Sequence, residues 1–150
     1  MRGLKILLVI MCISWGANAQ QTTYDFSVSS STNFSKGAEL RGNFKTWYIA
    51  FQLEHFLKDK DFLLNWGAAI GIMKNYNDFT FTGGVRFGFI IKNGYTKPSK
   101  GLETEIDYNV TDTMFFGVRG AYDVYHDSPD INTPTSKDMI RAFVKVGFKF

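Results

Sequence analysis

Few residues in this chain could carry chemistry. Its two histidines are His55 and His126, and His126 has Asp123, Asp127, Ser128 and Asp130 close along the sequence. Nucleophilic hydrolysis needs a hydroxyl beside a histidine that a carboxylate orients. Ser128 instead precedes Pro129 among turn formers, where Asp and Ser are ordinary, and His55 ends an alternating apolar segment. No catalytic residue is assigned and no enzymatic activity is expected. With two separated histidines, Asp127 and Asp130 offer at most a weak surface site for a hard cation. No metal or cofactor is expected. Gly83-Gly84 lies inside an alternating segment and reads as a packing gap, not as a loop that cradles phosphate. Asn33-Phe34-Ser35 and Asn109-Val110-Thr111 match the glycosylation pattern incidentally.

What stands out is where the ionic residues fall. From Thr46 to His55, Trp47, Ile49, Phe51 and Leu53 alternate with Tyr48, Ala50, Gln52 and Glu54. After Lys58 to Asp61, Leu64, Trp66, Ala68, Ile70 and Ile72 alternate with Asn65, Gly67, Ala69 and Gly71. Past the turn Asn75 to Asp78, Phe79 to Ile91 alternates again, with Arg86 on the smaller face. Leu102 to Val110 carries Glu103, Glu105 and Asp107 on one face, and the tight turn Thr111-Asp112-Thr113 follows. Phe116 to Val124 carries Arg119 and Asp123, and Ile140 to Phe150 carries Arg141, Lys145 and Lys149. Each segment reads as a strand with one apolar face and one small or polar face. Tyr24, Phe26 and Val28 alternate as well, whereas Asn33 to Arg41 barely does. Two strands are expected between Gln21 and Asn43, giving eight.

The first residues form a separate unit. Arg2 and Lys5 precede the apolar run Ile6 to Ile13, and Ala17-Asn18-Ala19 follows. This is the order of a secretory signal peptide, so 1–19 is expected to be a leader and 20–150 the folded domain. Losing Arg2 and Lys5 lowers the net charge from +3 to +1, which removes the basis for a nucleic-acid partner. Cys12, the single cysteine, goes with the leader. A small exported domain without disulfides points to a bacterial envelope. A hydrophobic fraction of 45% excludes a disordered chain.

Beyond the leader the longest uncharged stretch, Phe62 to Met73, is too short for the ~20 residues of a membrane-crossing helix. The alternating segments do match the ~9–11 residues of a tilted membrane strand, and lipid tolerates a sheet only when it closes on itself. Aromatic residues such as Trp47, Tyr108, Phe148 and Phe150 lie near segment ends, as in interfacial girdles. The expected fold is therefore all-β: an antiparallel up-and-down transmembrane β-barrel of eight strands. Its apolar faces meet lipid, and Arg86, Glu103, Glu105, Asp107, Arg119, Asp123, Arg141 and Lys145 pair inside, mostly between neighbouring strands.

The leader, the eight segments and the closing Val144 to Phe150 resemble the small OmpA/OmpX-like outer-membrane β-barrels of Gram-negative bacteria. The resemblance implies an outer-membrane location, contact with outer-membrane lipid, and a last strand whose Phe148 and Phe150 are read by the barrel-insertion machinery. It also implies periplasmic turns at Asn75 to Asp78 and Thr111 to Thr113. Outer loops then fall at Lys58 to Asp61, Lys92 to Gly101 and His126 to Lys137. Asp127, Ser128, Asp130, Asn132 and Lys137 form the candidate contact loop. The functional expectation is a non-enzymatic envelope or surface-interaction protein. The alternatives are a soluble periplasmic or secreted barrel that binds a small hydrophobic ligand, a minor pore, and a lipid-modifying barrel enzyme.

Overall fold

The structure is a computed structural model that describes residues 22–32, 34–57, 62–126 and 136–150. The expected leader, Lys58 to Asp61, and Asp127, Ser128, Asp130 and Asn132 lie outside the described residues. Eight strands follow one another: β1 Thr22–Ser31, β2 Ser35–Phe44, β3 Trp47–Phe56, β4 Phe62–Tyr76, β5 Phe79–Lys92, β6 Tyr95–Asn109, β7 Met114–His126 and β8 Ser136–Lys149. Each pairs antiparallel with the next, and β8 returns to β1 over Asp25↔Lys149 to Ser31↔Phe143, closing the barrel. Closure leaves no sheet edge along these pairings, so the backbone groups there are satisfied within the barrel.

The alternation read from the sequence sets which face is which. Phe51, Phe87, Val118 and Val144 point outward and are exposed, whereas Glu105, Arg119 and Asp123, on the same strands or their neighbours, are buried. Turn chemistry fixes the register. Asn77 adopts a left-handed conformation in the β4–β5 turn. Between β6 and β7, the Thr111 hydroxyl accepts hydrogen bonds from the backbone N–H groups of Thr113 and Met114 at 3.2 and 3.0 Å.

Two expected connections change. Lys92 to Gly101 is not a loop: β5 continues to Lys92, and β6 begins at Tyr95. The turn between them is Asn93-Gly94 alone, with φ of 51° and 75°. Asn-Gly is the residue pair that a two-residue hairpin turn prefers, because both positions need positive φ. Pro98, which suggests a loop, is tolerated because it lies just beyond Ser99, where pairing of β6 with β7 begins. Lys137 is likewise not a loop residue but belongs to β8, directly opposite Tyr125.

The paired rows also set the barrel's geometry. A row from Phe26 runs through Leu40, Phe51, Ala68, Phe87, Lys100 and Val124 to Asp138. Asp138 lies eleven residues before Lys149, which pairs with Asp25, so the row returns to the line of β1 ten residues above Phe26. Such a stagger on eight strands goes with a tilt of roughly 40° and an interior just wide enough for side chains.

Inward glycines make that interior usable. Gly71 and Gly84 are directly paired, and the Tyr48 ring lies across them. A Cβ at Gly84 would come within 2.5 Å of the Tyr48 hydroxyl and of the Ile70 carbonyl, whereas one at the outward Gly83 would meet nothing closer than 3.9 Å. Replacing Gly84 with Leu is therefore expected to cost about 1–3 kcal/mol or more through overpacking, read as a lower denaturant midpoint of the refolded barrel. Gly83→Ala should leave the midpoint within about 0.5 kcal/mol of the parent.

Candidate functional site

The inward residues form a charged lumen in two tiers. In the lower tier Arg41, on β2, is the hub. Its Nε donates to Asp25 Oδ2 at 3.1 Å, Nη1 to Glu105 Oε1 at 2.5 Å and Nη2 to Asp107 Oδ2 at 2.7 Å. Lys145 Nζ donates to Glu39 at 2.8 Å and to Glu105 at 2.6 Å, and Arg119 Nη1 donates to the other oxygen of Glu39 at 2.5 Å. The upper tier joins Arg141 to Glu54 and Asp123, Arg86 to Asp123 at 3.1 Å, and the Ser35 hydroxyl to Glu54. Between the tiers, Gln52 Nε2 donates to both Glu39 and Glu103 at 2.8 Å, Tyr48 Oη donates to Glu103 at 2.7 Å, and Arg86 approaches Glu103 at 3.7 Å.

Aromatic rings fill the space between the ions. Phe143 lies against Arg119 and Arg141, 4.4 and 5.4 Å from its centroid, and Phe115 lies under Arg41, Lys145 and Lys149 at 5.3–5.8 Å. A ring face attracts a cation without bringing a further counter-charge. Arg41, Glu39, Glu105, Arg119, Arg141 and Lys145 are all buried, at 5% exposure or less. Ions so withdrawn from water are tolerated only when paired and hydrogen-bonded. What the lumen can do chemically follows from this: it locks together strands distant in sequence, and its ionic groups are engaged with one another.

All eight sequence-predicted lumen residues, Arg86, Glu103, Glu105, Asp107, Arg119, Asp123, Arg141 and Lys145, are buried inside. Their pairing follows the expected neighbour-to-neighbour scheme in part, with Arg141 meeting Asp123 on β7 and Arg86 approaching Glu103 on β6, and the rest crosses the barrel. Arg41 reaches from β2 to Glu105 and Asp107 on β6, Arg119 from β7 to Glu39 on β2, and Arg141 from β8 to Glu54 on β3. The interior is narrow enough for a long side chain to cross it, so these ions pair over the axis as readily as along the sheet. Lys149 is half-buried at one mouth and donates to Asn109 at 2.5 Å.

Sequence reading missed Asp25, Glu39, Arg41, Gln52 and Glu54, all buried in the same network. Glu39 and Arg41 fall in the weakly alternating stretch, where outward Ala38 and Gly42 blur the contrast between faces, whereas Asp25 sits between Tyr24 and Phe26 on an alternating strand. Glu54 and Gln52 sit on a clearly alternating strand, and their position opposite Leu53 and Phe51 is a usable signal. Of the other candidates, Phe148 and Phe150 point outward, and Phe150 exchanges backbone hydrogen bonds with Tyr24 at 2.8 and 3.0 Å while their rings stack. His55 is exposed on the outer face. His126 is exposed, with Ser136 Oγ 3.4 Å from its Nδ1. Among the described residues no group of three His, Cys, Asp or Glu could hold a metal ion.

No protein-family model matches the chain, and no curated protein sequence matches it. Solved structures do match. Neisserial surface protein A is 13% identical, with 85% of this chain and 94% of that one covered and a TM-score of 0.56. The fold is that of the small outer-membrane barrels. The N-terminal β-barrel domain of Pseudomonas aeruginosa OprF is 10% identical, covers 87% and 98%, and has a TM-score of 0.60. The Yersinia pestis outer-membrane protein Ail, solved in a phospholipid bilayer nanodisc, is 11% identical, covers 88% and 100%, and has a TM-score of 0.52. At these identities the likeness is one of architecture.

The Arg41 hub gives a direct test. Replacing it with Met leaves Asp25, Glu105 and Asp107 buried without their shared partner, at an expected cost of about 3–5 kcal/mol. Urea unfolding of the refolded barrel should show this as a large fall in midpoint. Lys36→Met, at an exposed outward position, should leave the midpoint almost unchanged.

Proposed function

We propose that the protein is a bacterial outer-membrane β-barrel that serves as a non-enzymatic structural or surface-interaction component of the envelope. The observation that carries this reading is its reversed burial. Phe26, Ile49, Phe87, Leu102, Val118, Ile140 and Val144 face outward at 44–74% exposure, while ions fill the interior. In water such a surface would be a very large apolar patch; in a bilayer it is the band that meets acyl chains. Tyr24, Phe44, Trp47, Tyr76, Phe79, Tyr108, Phe148 and Phe150 gather at the end where the chain enters and leaves the barrel, as an interfacial girdle. That end faces the periplasm in this reading, and the opposite connections, including 127–135, face outside.

Several further assignments belong to the same reading. Residues 1–19 direct export, outer-membrane lipid is the immediate partner, and the insertion machinery reads β8 through Phe148 and Phe150. The candidate contact surface is the outer connection with Asp127, Ser128, Asp130 and Asn132, next to Lys137 at the start of β8. A soluble binder of a hydrophobic ligand is disfavoured, because its apolar residues would line the interior that Arg41, Glu105 and Arg141 occupy. A pore is disfavoured by the ion pairs that bridge the lumen.

Fractionation of expressing cells should place the protein with the outer membrane, soluble only in detergent and heat-modifiable on gels. Planar bilayers containing it should stay free of steady conductance. Recovery in the aqueous fraction would overturn the reading.

A further inference from the structure

Lys100 is out of keeping with its surroundings. It stands exposed on the outward face of β6, between Pro98 and Leu102 along the strand and between Phe87 and Val124 across the sheet. Among the described residues it is the only ionic side chain on the outward face of β5 or β6, and no hydrogen bond or ion pair engages its ammonium. The girdle residue Tyr108 lies eight residues further along the same strand. At a rise of ~3.4 Å per residue and a tilt of roughly 40°, Lys100 is about 20 Å from that level. It therefore sits near the far boundary of an apolar band ~25 Å tall, where a lysine lays its stem along apolar surface and lifts its ammonium to the headgroups.

The outer wall is hollowed on both sides of Lys100. Towards β8, a depression of about 550 Å³ crosses β6 and β7. Its floor is the directly paired Thr104 and Gly120, and Leu102, Tyr122 and Ile140 stand beside it at 41–74% exposure. A Cβ at Gly120 would meet nothing closer than 3.9 Å, so the hollow is open to the outside. Towards β4, a second depression of about 400 Å³ lies over Ala68 and the Gly67–Gly88 pair. Phe51, Trp66, Phe87, Phe89 and Pro98 wall it, and the Trp66 and Phe89 rings are 5.0 Å apart. Asp138 is outward and exposed too, beyond Val124 in the row that contains Lys100. An anion is thus attracted at Lys100 and repelled further towards β8.

We propose that Lys100 and the two hollows hold one phosphate-bearing lipid, its phosphate against the ammonium and its acyl chains in the hollows on either side. The proposal rests on the reading of the barrel as a membrane protein and adds a preferred lipid to it. Both hollows lie in the surface that meets acyl chains, so chains are what cover them. The single cation suits a single anionic group, and a lysine ammonium is a point charge that donates to a phosphate oxygen without a fixed approach. A lipid with one headgroup and at least two chains spans both hollows, whereas a single-chain amphiphile fills only one.

The mature barrel carries two tryptophans, Trp47 and Trp66. Trp66 walls the second hollow, and Trp47 lies at the girdle end, so each can be kept alone as a reporter. Single-tryptophan barrels, Trp47→Phe and Trp66→Phe, are refolded into phosphatidylcholine vesicles that contain a small fraction of brominated phosphatidylglycerol or, for comparison, of brominated phosphatidylcholine. In the Trp47→Phe barrel the brominated anionic lipid should quench Trp66 as though enriched about fivefold over the neutral one. Lys100→Gln should remove that enrichment, Lys100→Arg should keep it, and Asp138→Asn should raise it. Gly120→Leu, which fills the first hollow, should lower it, with the heat-modifiable gel shift kept in every variant. In the Trp66→Phe barrel, Lys100→Gln should leave the quenching of Trp47 unchanged. Equal quenching of Trp66 by the two lipids, or an enrichment that survives Lys100→Gln or Gly120→Leu, overturns the inference. A barrel whose tryptophans neither lipid quenches contradicts the membrane reading itself.

Discussion

A closed cylinder of eight strands has room inside for one layer of side chains, and this chain fills that room with ions. Everything else in the structure follows from keeping them neutralised. Arg41 engages three carboxylates, and Glu39 receives both Lys145 and Arg119. Each buried ion costs several kcal/mol in lost hydration, and only a partner at hydrogen-bond distance offsets that cost. The ions therefore act as a template. Strands far apart in sequence, such as β2 and β6, must be brought to fixed heights before the charges can meet. The same requirement explains the inward glycines: Tyr48 reaches Glu103 by lying across Gly71 and Gly84.

The exterior is the complement of this interior. With ions consuming the inside, the apolar residues have only the outer face, and they cover it from Tyr24 on β1 to Val144 on β8. Even an outward glycine is covered: Gly42 is buried under the rings of Tyr24 and Phe44. Phe44 in turn stacks on Trp47 at 4.0 Å. This aromatic cluster lies at one end of the barrel, where a lipid interface would give amphipathic rings an apolar and a wet side at once.

The strand count, the faces and most turns were legible because a period of two leaves little freedom: once Phe87 points out, Arg86 points in. Where both faces carry small residues the signal fades, as in β2, and with it went Glu39 and Arg41, which prove central. The β5–β6 hairpin was misread because Lys97, Pro98 and Lys100 look like loop composition, although Asn93-Gly94 marks the turn. Pairing partners were the least legible feature. Neighbouring strands in sequence suggest neighbouring charges, as Arg141 with Asp123 and Arg41 with Asp25 show, but Arg41, Arg119 and Arg141 also bond across the barrel axis. That choice depends on stagger and radius, which a single sequence does not display.

The central claim is that apolar side chains face lipid and ionic ones face inward, and the protein's own tryptophans report on it. Trp47 and Trp66 both point outward, on β3 and β4. In vesicles made with brominated lipids, the fluorescence of the mature barrel should be strongly quenched, while aqueous acrylamide has little effect. Strong quenching by acrylamide with no response to brominated acyl chains would contradict the account.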